Sequence, residues 1–456
     1  MADEGTNEAK ISIKVFIDNV KKRVVYAEAD HSFVDILFSL VTLPLGTIVK
    51  MLGKHSDTKF EALGSLNNLY QSLQDFPESY FATEECKFML LNPRSLSYDL
   101  CKNLKLTIDD TKPVKYFICG SCWAENYRVN RYFSICSKAR CRRCGGLMNT
   151  PHSFDSNVSV AAGGGDGDGV FVSDIATFIV TDDFSVLPYS ATSIFGILTD
   201  FGIDDTSYLE EKTIDLSFEQ MLQLLKIALS LDLPFTRLMF HNNSRIQSGL
   251  VVPRHCSVSE TSTCSKMVLE VCLQKSTGKL LFAEAKEDFV DFVFGILSIP
   301  LGTVIGTLMN GASSISCMDN IFKSISNMSV GRYLKSQDIK DMLLKPYFGQ
   351  EYSSKNQLFP IKGTLTTHDV KDAYYNINPL VRPTVNCYTY HLKDPRLKEQ
   401  LLRPSGMFFV TDDLVISPSS SQLAMNTLAK FKVKLNDIKK YEISIGLEEV
   451  SCHNTP

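Results

Sequence analysis

The sequence predicts an α+β fold built from two tandem copies of one hairpin-plus-helix unit, and three observations carry that reading. Ile11–Leu52 is written again at Met267–Leu308 without a gap, with thirteen of 42 positions identical. Among them, Ala27-Glu28-Ala29 returns as Ala283-Glu284-Ala285, and Pro44-Leu45-Gly46-Thr47 returns as Pro300-Leu301-Gly302-Thr303. The later part of the unit recurs too, Val180-Thr181-Asp182-Asp183 as Val410-Thr411-Asp412-Asp413, with Pro188 and Ser190 matching Pro418 and Ser420. Third, both openings read strand, turn, strand, helix. A period above 200 residues marks a duplicated domain, because solenoid repeats run to tens of residues. The boundaries fall at 8–240 for the first copy, 241–265 for a linker and 266–456 for the second copy.

Ile11, Ile13, Val15 and Ile17 alternate with polar residues, the period of a half-buried strand. Asn19–Arg23 is a polar turn, matched by Lys275–Lys279, and Val24–Ala29 forms the second strand. Asp30 or Ser32 then caps a helix. Hairpin first and helix across it is the opening of a β-grasp-like unit. Lys54–Lys112 links onward through helical patterns around Leu66–Leu73, and Met89-Leu90-Leu91-Asn92-Pro93 is echoed by Met342-Leu343-Leu344-Lys345-Pro346. A cysteine-rich segment, 111–150, is inserted next. The Gly-rich stretch 161–169 reads as a flexible linker, and without Lys-Ser/Thr after its glycines it is no phosphate loop. Strands at Ala176–Val180 and Phe184–Leu187 flank a Thr-Asp-Asp turn. A helix Ser190–Thr199, a strand Lys212–Leu216 and a helix Ser217–Leu231 follow. Ser217 and Gln220 make a capping box, and Met221, Leu224, Leu225 and Leu229 recur at helical spacing. In the second copy Ile443–Val450 aligns with Ile214–Met221, and the chain given then closes with Ser451–Pro456. The expectation is an apolar seat beside Ile443 without its covering helix.

An apolar fraction of 44% and a charged fraction of 21% are those of an ordinary globular protein. A net charge of −4 supplies no global field for nucleic acid or anionic membrane. The acidic start lacks the apolar core of a secretory signal. Thirteen cysteines, an odd number with five clustered, suit a reducing interior and one metal site rather than a disulfide scaffold. The expected location is the cytoplasm, with the nucleus as the other candidate compartment; secretion is not expected. Phe292–Met309 is free of charge and long enough to raise a membrane span. It holds Gly295, Pro300, Gly302 and Gly306, and its duplicate Ile36–Val49 is shorter. A buried helix broken at Pro-Leu-Gly is therefore expected.

Cys119-Gly-Ser-Cys122 and Cys141-Arg-Arg-Cys144 stand 18 residues apart, the spacing of paired zinc knuckles. Each Cys-x-x-Cys turn offers two thiolates, and two turns complete a tetrahedron with no open position. Structural zinc on Cys119, Cys122, Cys141 and Cys144 is the expected cofactor, with Cys136 able to replace Cys119 or Cys122. Around it, 111–150 carries eight Lys and Arg against Glu125 alone. Arg128, Arg131, Lys138, Arg140, Arg142 and Arg143, interleaved with Trp123, Tyr127, Tyr132 and Phe133, are candidate contacts to single-stranded nucleic acid. The plainer alternative puts those aromatics in a small core and the cations in water. Asp182-Asp183 and Asp412-Asp413 read as turn chemistry, and Asp35 and Asp291 as helix-start residues. The eight histidines are scattered, and no catalytic motif emerges.

Taken together, these features resemble a plant family known as domain of unknown function 674. The shared marks are the Ile13-Lys14-Val15 strand, the Pro-Leu-Gly-Thr motif, Asn67-Asn68-Leu69-Tyr70, the Cys144-Gly145-Gly146 segment ending near Met148, and Val-Thr-Asp-Asp with its following Pro. The resemblance covers nearly the whole chain and implies plant origin and a two-copy habit, but no activity. This chain departs from the pattern where Ser451–Pro456 stands in place of the usual last helix. Its second copy keeps only Cys387 in the region of the cysteine cluster. The functional expectation is a non-enzymatic interaction or scaffold protein with an unidentified protein partner. A nucleic-acid-binding protein acting through 111–150 is the alternative, and an enzyme with its site between the copies ranks last.

Overall fold

The computed structural model describes residues 9–54, 63–109, 115–122, 132–153, 169–174, 176–240, 266–313, 315–355, 357–361, 363–364, 367–374, 384–404 and 406–446. The chain begins β1 (Ile11–Asp18), β2 (Arg23–Ala29), α1 (His31–Ser39), α2 (Leu45–Lys54), α3 (Ser65–Asp75), α4 (Glu84–Leu91). Short strands β3 (Tyr116–Ile118), β4 (Tyr132–Phe133) and β5 (Thr150–His152) follow. Then come β6 (Phe178–Thr181), β7 (Val186–Pro188), α5 (Ala191–Asp200), β8 (Leu209–Leu216), α6 (Phe218–Ser230) and α7 (Pro234–Phe240). The second half runs β9 (Met267–Gln274), β10 (Leu280–Ala285), α8 (Glu287–Ile296), α9 (Ser316–Asn327) and α10 (Gln337–Leu344). It ends with β11 (Thr367–Tyr374), β12 (Thr384–Leu392), β13 (Phe408–Val410), β14 (Ile416–Pro418), α11 (Ser421–Phe431) and β15 (Ile438–Ile445). Helix and sheet are thus mixed, as an α+β reading requires.

Two five-stranded antiparallel sheets dominate, ordered β7-β6-β2-β1-β8 and β14-β13-β10-β9-β15. The sequence-matched stretches 11–47 and 267–303 open the two sheets alike, hairpin then helix. Alternation sends Ile11, Ile13, Val15 and Ile17 into the core. Asp30 caps α1, accepting from the Phe33 amide at 3.3 Å. Each sheet carries one helix on its outer face, α5 over Val25, Tyr26 and Ile179, and α11 over Leu281, Phe282 and Phe409. The likeness to a β-grasp stops at hairpin plus helix. The strand beside β1 runs antiparallel to it, where a β-grasp places a parallel neighbour.

Division of the chain at 240 and 266 predicts that each copy closes its own core. The cores do not follow that line. The first sheet is covered by α9 and α10 of the second half, and the second sheet by α3 and α4 of the first. Matched bonds tie the exchange. Asn320 Nδ2 donates to the Asp183 carbonyl and carboxylate at 3.0 and 2.9 Å, and Asn68 Nδ2 to those of Asp413 at 2.9 and 3.2 Å. The Val186 amide donates to Ser324 Oγ at 2.8 Å, and the Ile416 amide to Ser72 Oγ at 2.9 Å. Between the lobes, Leu45 N donates to Ile299 O at 3.0 Å and Leu301 N to Leu43 O at 2.9 Å. Local sequence patterns are blind to such an exchange, because α3 and α9 show the same amphipathic period whichever sheet they cover.

Buried carboxylates fasten this arrangement. Asp35 and Asp291 lie inside α1 and α8 rather than at their starts, because each is needed one turn in to meet a loop. Asp35 accepts from the amides of Val170, Phe171 (2.9 Å) and Val172 (2.9 Å), and Asp291 from Leu401 (3.0 Å) and Leu402 (2.8 Å). Those same loops bond across the halves, Lys335 N to Phe171 O at 3.0 Å and Ala82 N to Leu401 O at 2.8 Å. Asp182 is more than a turn residue. It is sealed against the start of α7, accepting from the Phe235 and Thr236 amides at 2.7 and 3.1 Å, a carboxylate at a helix N-terminus. Asp412, its counterpart, is exposed.

Burial pushes Asp182 and Asp291 up to about 7, with their amide bonds pulling part of the way back. In the unfolded chain such carboxyls release their protons near 3.9. Between those values the folded state binds more protons, so these groups lower stability as pH rises from about 4 to 7. Urea midpoints measured across that window should therefore fall less steeply in an Asp182→Asn/Asp291→Asn chain than in wild type. Equal slopes would show that the two groups titrate alike in both states.

The stretch Phe292–Met309 breaks as expected. α8 stops at Ile296, Leu301–Thr303 makes one short turn, and Val304–Leu308 widens into a π-turn. No helix among the described residues is long and apolar enough to cross a membrane. α6 forms with its Ser217–Gln220 capping box and buries Met221, Leu224, Leu225 and Leu229 in the first core, where it also meets the exchanged α9. In the second lobe the matching edge is less covered: Ile445 is half-buried where its counterpart Leu216 is sealed, and Ile443 is 41% exposed where its counterpart Ile214 is half-buried. Residues 447–456 lie outside the described residues.

Candidate metal centre

Two knuckles meet beside the second lobe. The first, Cys119–Cys122, ends β3, and the Cys122 amide donates to the Cys119 sulfur. β5 runs so close to it that a Cβ on Gly120 would lie 2.6 Å from Thr150 Oγ1, so a larger residue there would force the exposed Thr150 side chain to turn away. In the second, Cys141 N donates to Gly146 O at 2.8 Å and Gly145 N to Cys141 O at 3.0 Å. Gly145 takes φ +72°, the left-handed conformation expected of the residue past a last knuckle cysteine. The Arg143 amide donates to Cys141 Sγ at 3.4 Å.

The four sulfurs of Cys119, Cys122, Cys141 and Cys144 all lie within 4.8 Å of one another. Cys119 and Cys144 sulfurs are 3.5 Å apart, and those of Cys141 and Cys122 are 3.8 Å apart. A tetrahedron with metal–sulfur bonds of about 2.3 Å has sulfur–sulfur edges of about 3.8 Å. The donor set therefore fits a metal ion without rearrangement. Cys136 is not among the four: its carbonyl, not its sulfur, turns toward the Ala139 amide at 3.2 Å. Burial raises the Cys119 thiol, and burial with three neighbouring thiols pushes Cys122 up to about 12. Four thiols so packed resist deprotonation until a cation compensates them. The cluster buried here is Cys119, Cys122, Ala139, Cys141 and Met148, too little apolar surface to fold a segment unaided.

One contact closes the segment on itself and two moor it to the second lobe. Phe117 and Ser134 exchange backbone bonds at 2.8 Å, β4 pairs in parallel with β12, and Ile118, Phe133 and Tyr390 form a small core. Below them Lys393 Nζ meets Glu85 at 3.2 Å, both side chains about nine-tenths buried. Burial raises the Glu85 carboxyl, and Lys393 opposes the rise. No local motif announced this pair, whose members lie 308 residues apart.

The proposed nucleic-acid contacts divide. Arg128 and Arg131 lie outside the described residues. Lys138 bridges to Glu84 at 2.8 Å, Arg140 donates to Gly145 O at 3.1 Å, and the Arg142 guanidinium lies 5.3 Å over the Tyr132 ring. Arg143 is exposed at the knuckle. Phe133 is sealed, and Tyr116 packs edge-on against it at 5.4 Å, so these aromatics serve the small core.

Comparison with family models matches residues 7–448 to one described as protein of unknown function (DUF674). The chain belongs to the DUF674 family. No curated protein and no solved structure matches it. For a DUF674 chain, then, the chemistry on view is that of four converging thiols able to hold a metal ion.

Proposed function

We propose that this chain is a non-enzymatic interaction protein of the plant cell interior. It consists of two copies of one unit locked by helix exchange and carries one structural zinc ion on Cys119, Cys122, Cys141 and Cys144. The identical strand order of the sheets and the paired exchange bonds support a duplicated unit. Four sulfur ligands and no open position suit zinc in a structural role. Metal analysis of the purified chain should find one zinc per chain; none, or another metal, would end that assignment.

The interaction reading is carried by the inner edge of the second sheet. Tyr441 and Ile443 project beside Val271 and Leu269 of the core face, yet are 39% and 41% exposed. In the first lobe α6 seals Leu216, the counterpart of half-buried Ile445, while Ile214, the counterpart of Ile443, is half-buried and Lys212, the counterpart of Tyr441, is exposed. Lys439 borders the open seat, its ammonium 4.3 Å from the Tyr441 ring centroid. The seat's occupant is an amphipathic helix of a partner protein, apolar on one face as α6 is. A labelled peptide of sequence 217–231 serves as the probe. Saturable binding to the full chain, weakened at least about tenfold by Ile443→Lys with unchanged melting temperature, is expected. A peptide that ignores the wild-type chain would count against the seat. Exposed Arg143, with Arg142 stacked on Tyr132, favours nucleic-acid binding as the second reading. It requires salt-dependent binding of single-stranded RNA that an Arg142→Ala/Arg143→Ala chain loses.

A further inference from the structure

We infer that the four-cysteine site is a redox switch, opened by peroxides through attack at Cys144. This rests on the metal-site reading above. Cys119, Cys122 and Cys141 are 2–4% exposed, whereas Cys144 is open to solvent. The Cys119 and Cys141 sulfurs accept backbone amides, while the Cys144 sulfur lies 3.5 Å from the Cys119 sulfur and within 4.8 Å of the other two. Exposure and thiolate character decide which cysteine an oxidant reaches, and a neighbouring thiol decides whether the product resolves to a disulfide. Cys144 meets the first condition and Cys119 the second.

The reaction balances with hydrogen peroxide as oxidant. The Cys144 thiolate attacks one peroxide oxygen; an S–O bond forms, the O–O bond breaks and hydroxide leaves. The Cys119 thiolate then attacks the Cys144 sulfur; an S–S bond forms, the S–O bond breaks and a second hydroxide leaves. Two thiolates give up two electrons, and one peroxide becomes two hydroxides. Only Cys122 and Cys141 then remain as thiolates, too few to hold the ion. With the ion gone, the five-residue cluster loses what closes it, and Arg140, Arg142 and Arg143 leave the knuckle that positions them.

The test uses the purified full chain with zinc bound, a chromogenic zinc chelator as readout and hydrogen peroxide in modest excess. Zinc release should accompany a Cys119–Cys144 disulfide in peptide mapping, and a dithiol reductant with added zinc should restore the site. Cys144→His keeps a zinc ligand but removes the oxidisable sulfur, and should slow release about tenfold or more. Cys136→Ser should release zinc as wild type does. Chains that hold zinc unchanged in peroxide would overturn the switch and leave the zinc assignment standing; chains without zinc from the outset would overturn both. Equal release from Cys144→His, or a disulfide joining any other pair, would remove Cys144 from the role. Should Cys144→His bind no zinc, the mapped disulfide in wild type decides alone.

Discussion

Residues 1–240 and 266–456, each produced alone, will not reach a folded state, while the two produced together will assemble one to one. The exchange of helices dictates this outcome. Ten buried apolar residues of the first core, from Leu301 to Leu343, come from the second half. Ten of the second core, from Val49 to Leu90, come from the first. Burial of a large apolar side chain contributes about 1.5–3 kcal/mol. Ten such losses, even discounted for a compact unfolded chain, exceed the roughly 5–15 kcal/mol by which domains are stable. A half-chain would also expose the sheet face beneath Phe294 and Phe408, against which Phe76 packs at 5.3 and 5.6 Å. Circular dichroism melts of the separate halves should show no cooperative transition, and the co-produced pair should show one. A half that melts cooperatively by itself would mean that its sheet finds another cover.

The contrast with the sequence reading is instructive because the same residues support both pictures. Alternation at Ile11–Ile17, the Asp30 cap, the Ser217 box and the two knuckles are local signals. Each needs only a few neighbouring residues to state which face is buried or which turn forms. The four-cysteine site was legible for that reason, since two short turns carry all of its ligands. Which sheet α3 covers is not a local matter. Leu69, Leu73 and Phe76 demand an apolar surface, and the first and second sheets offer nearly the same one, being written with the same alternation. The long-range bonds do not state the choice either, since the Ile416 amide on Ser72 and the Val186 amide on Ser324 are the same bond in the two lobes. Short polar side chains elsewhere hid their roles in the same way. Asp182 and Asp412 sit in identical Val-Thr-Asp-Asp strings, yet only Asp182 meets a helix start, because α7 follows in one half alone among the described residues.

Replacing Asp35 by alanine should cost about 3–5 kcal/mol, a loss large enough to empty much of the folded state at 37 °C. Its carboxylate is the acceptor for three successive amides, Val170, Phe171 and Val172, in a site closed to water. A buried donor left without a partner costs about 1–3 kcal/mol, and alanine would leave three. The damage would not stay local. Phe171 accepts from Lys335 and the Ser173 amide donates to Tyr333, so the loop that Asp35 holds is the one gripping the exchanged segment after α9. Slackening it loosens the cover of the first sheet. Asparagine keeps one acceptor oxygen and should fall between wild type and alanine. Asp412→Ala, which removes an exposed carboxylate of the same residue type, should change stability by no more than about 0.5 kcal/mol. Urea unfolding of the four chains at one pH, followed by fluorescence, ranks them directly. Asp35→Ala within about 1 kcal/mol of wild type would mean that the loop finds other acceptors and that the exchange is held by apolar packing alone.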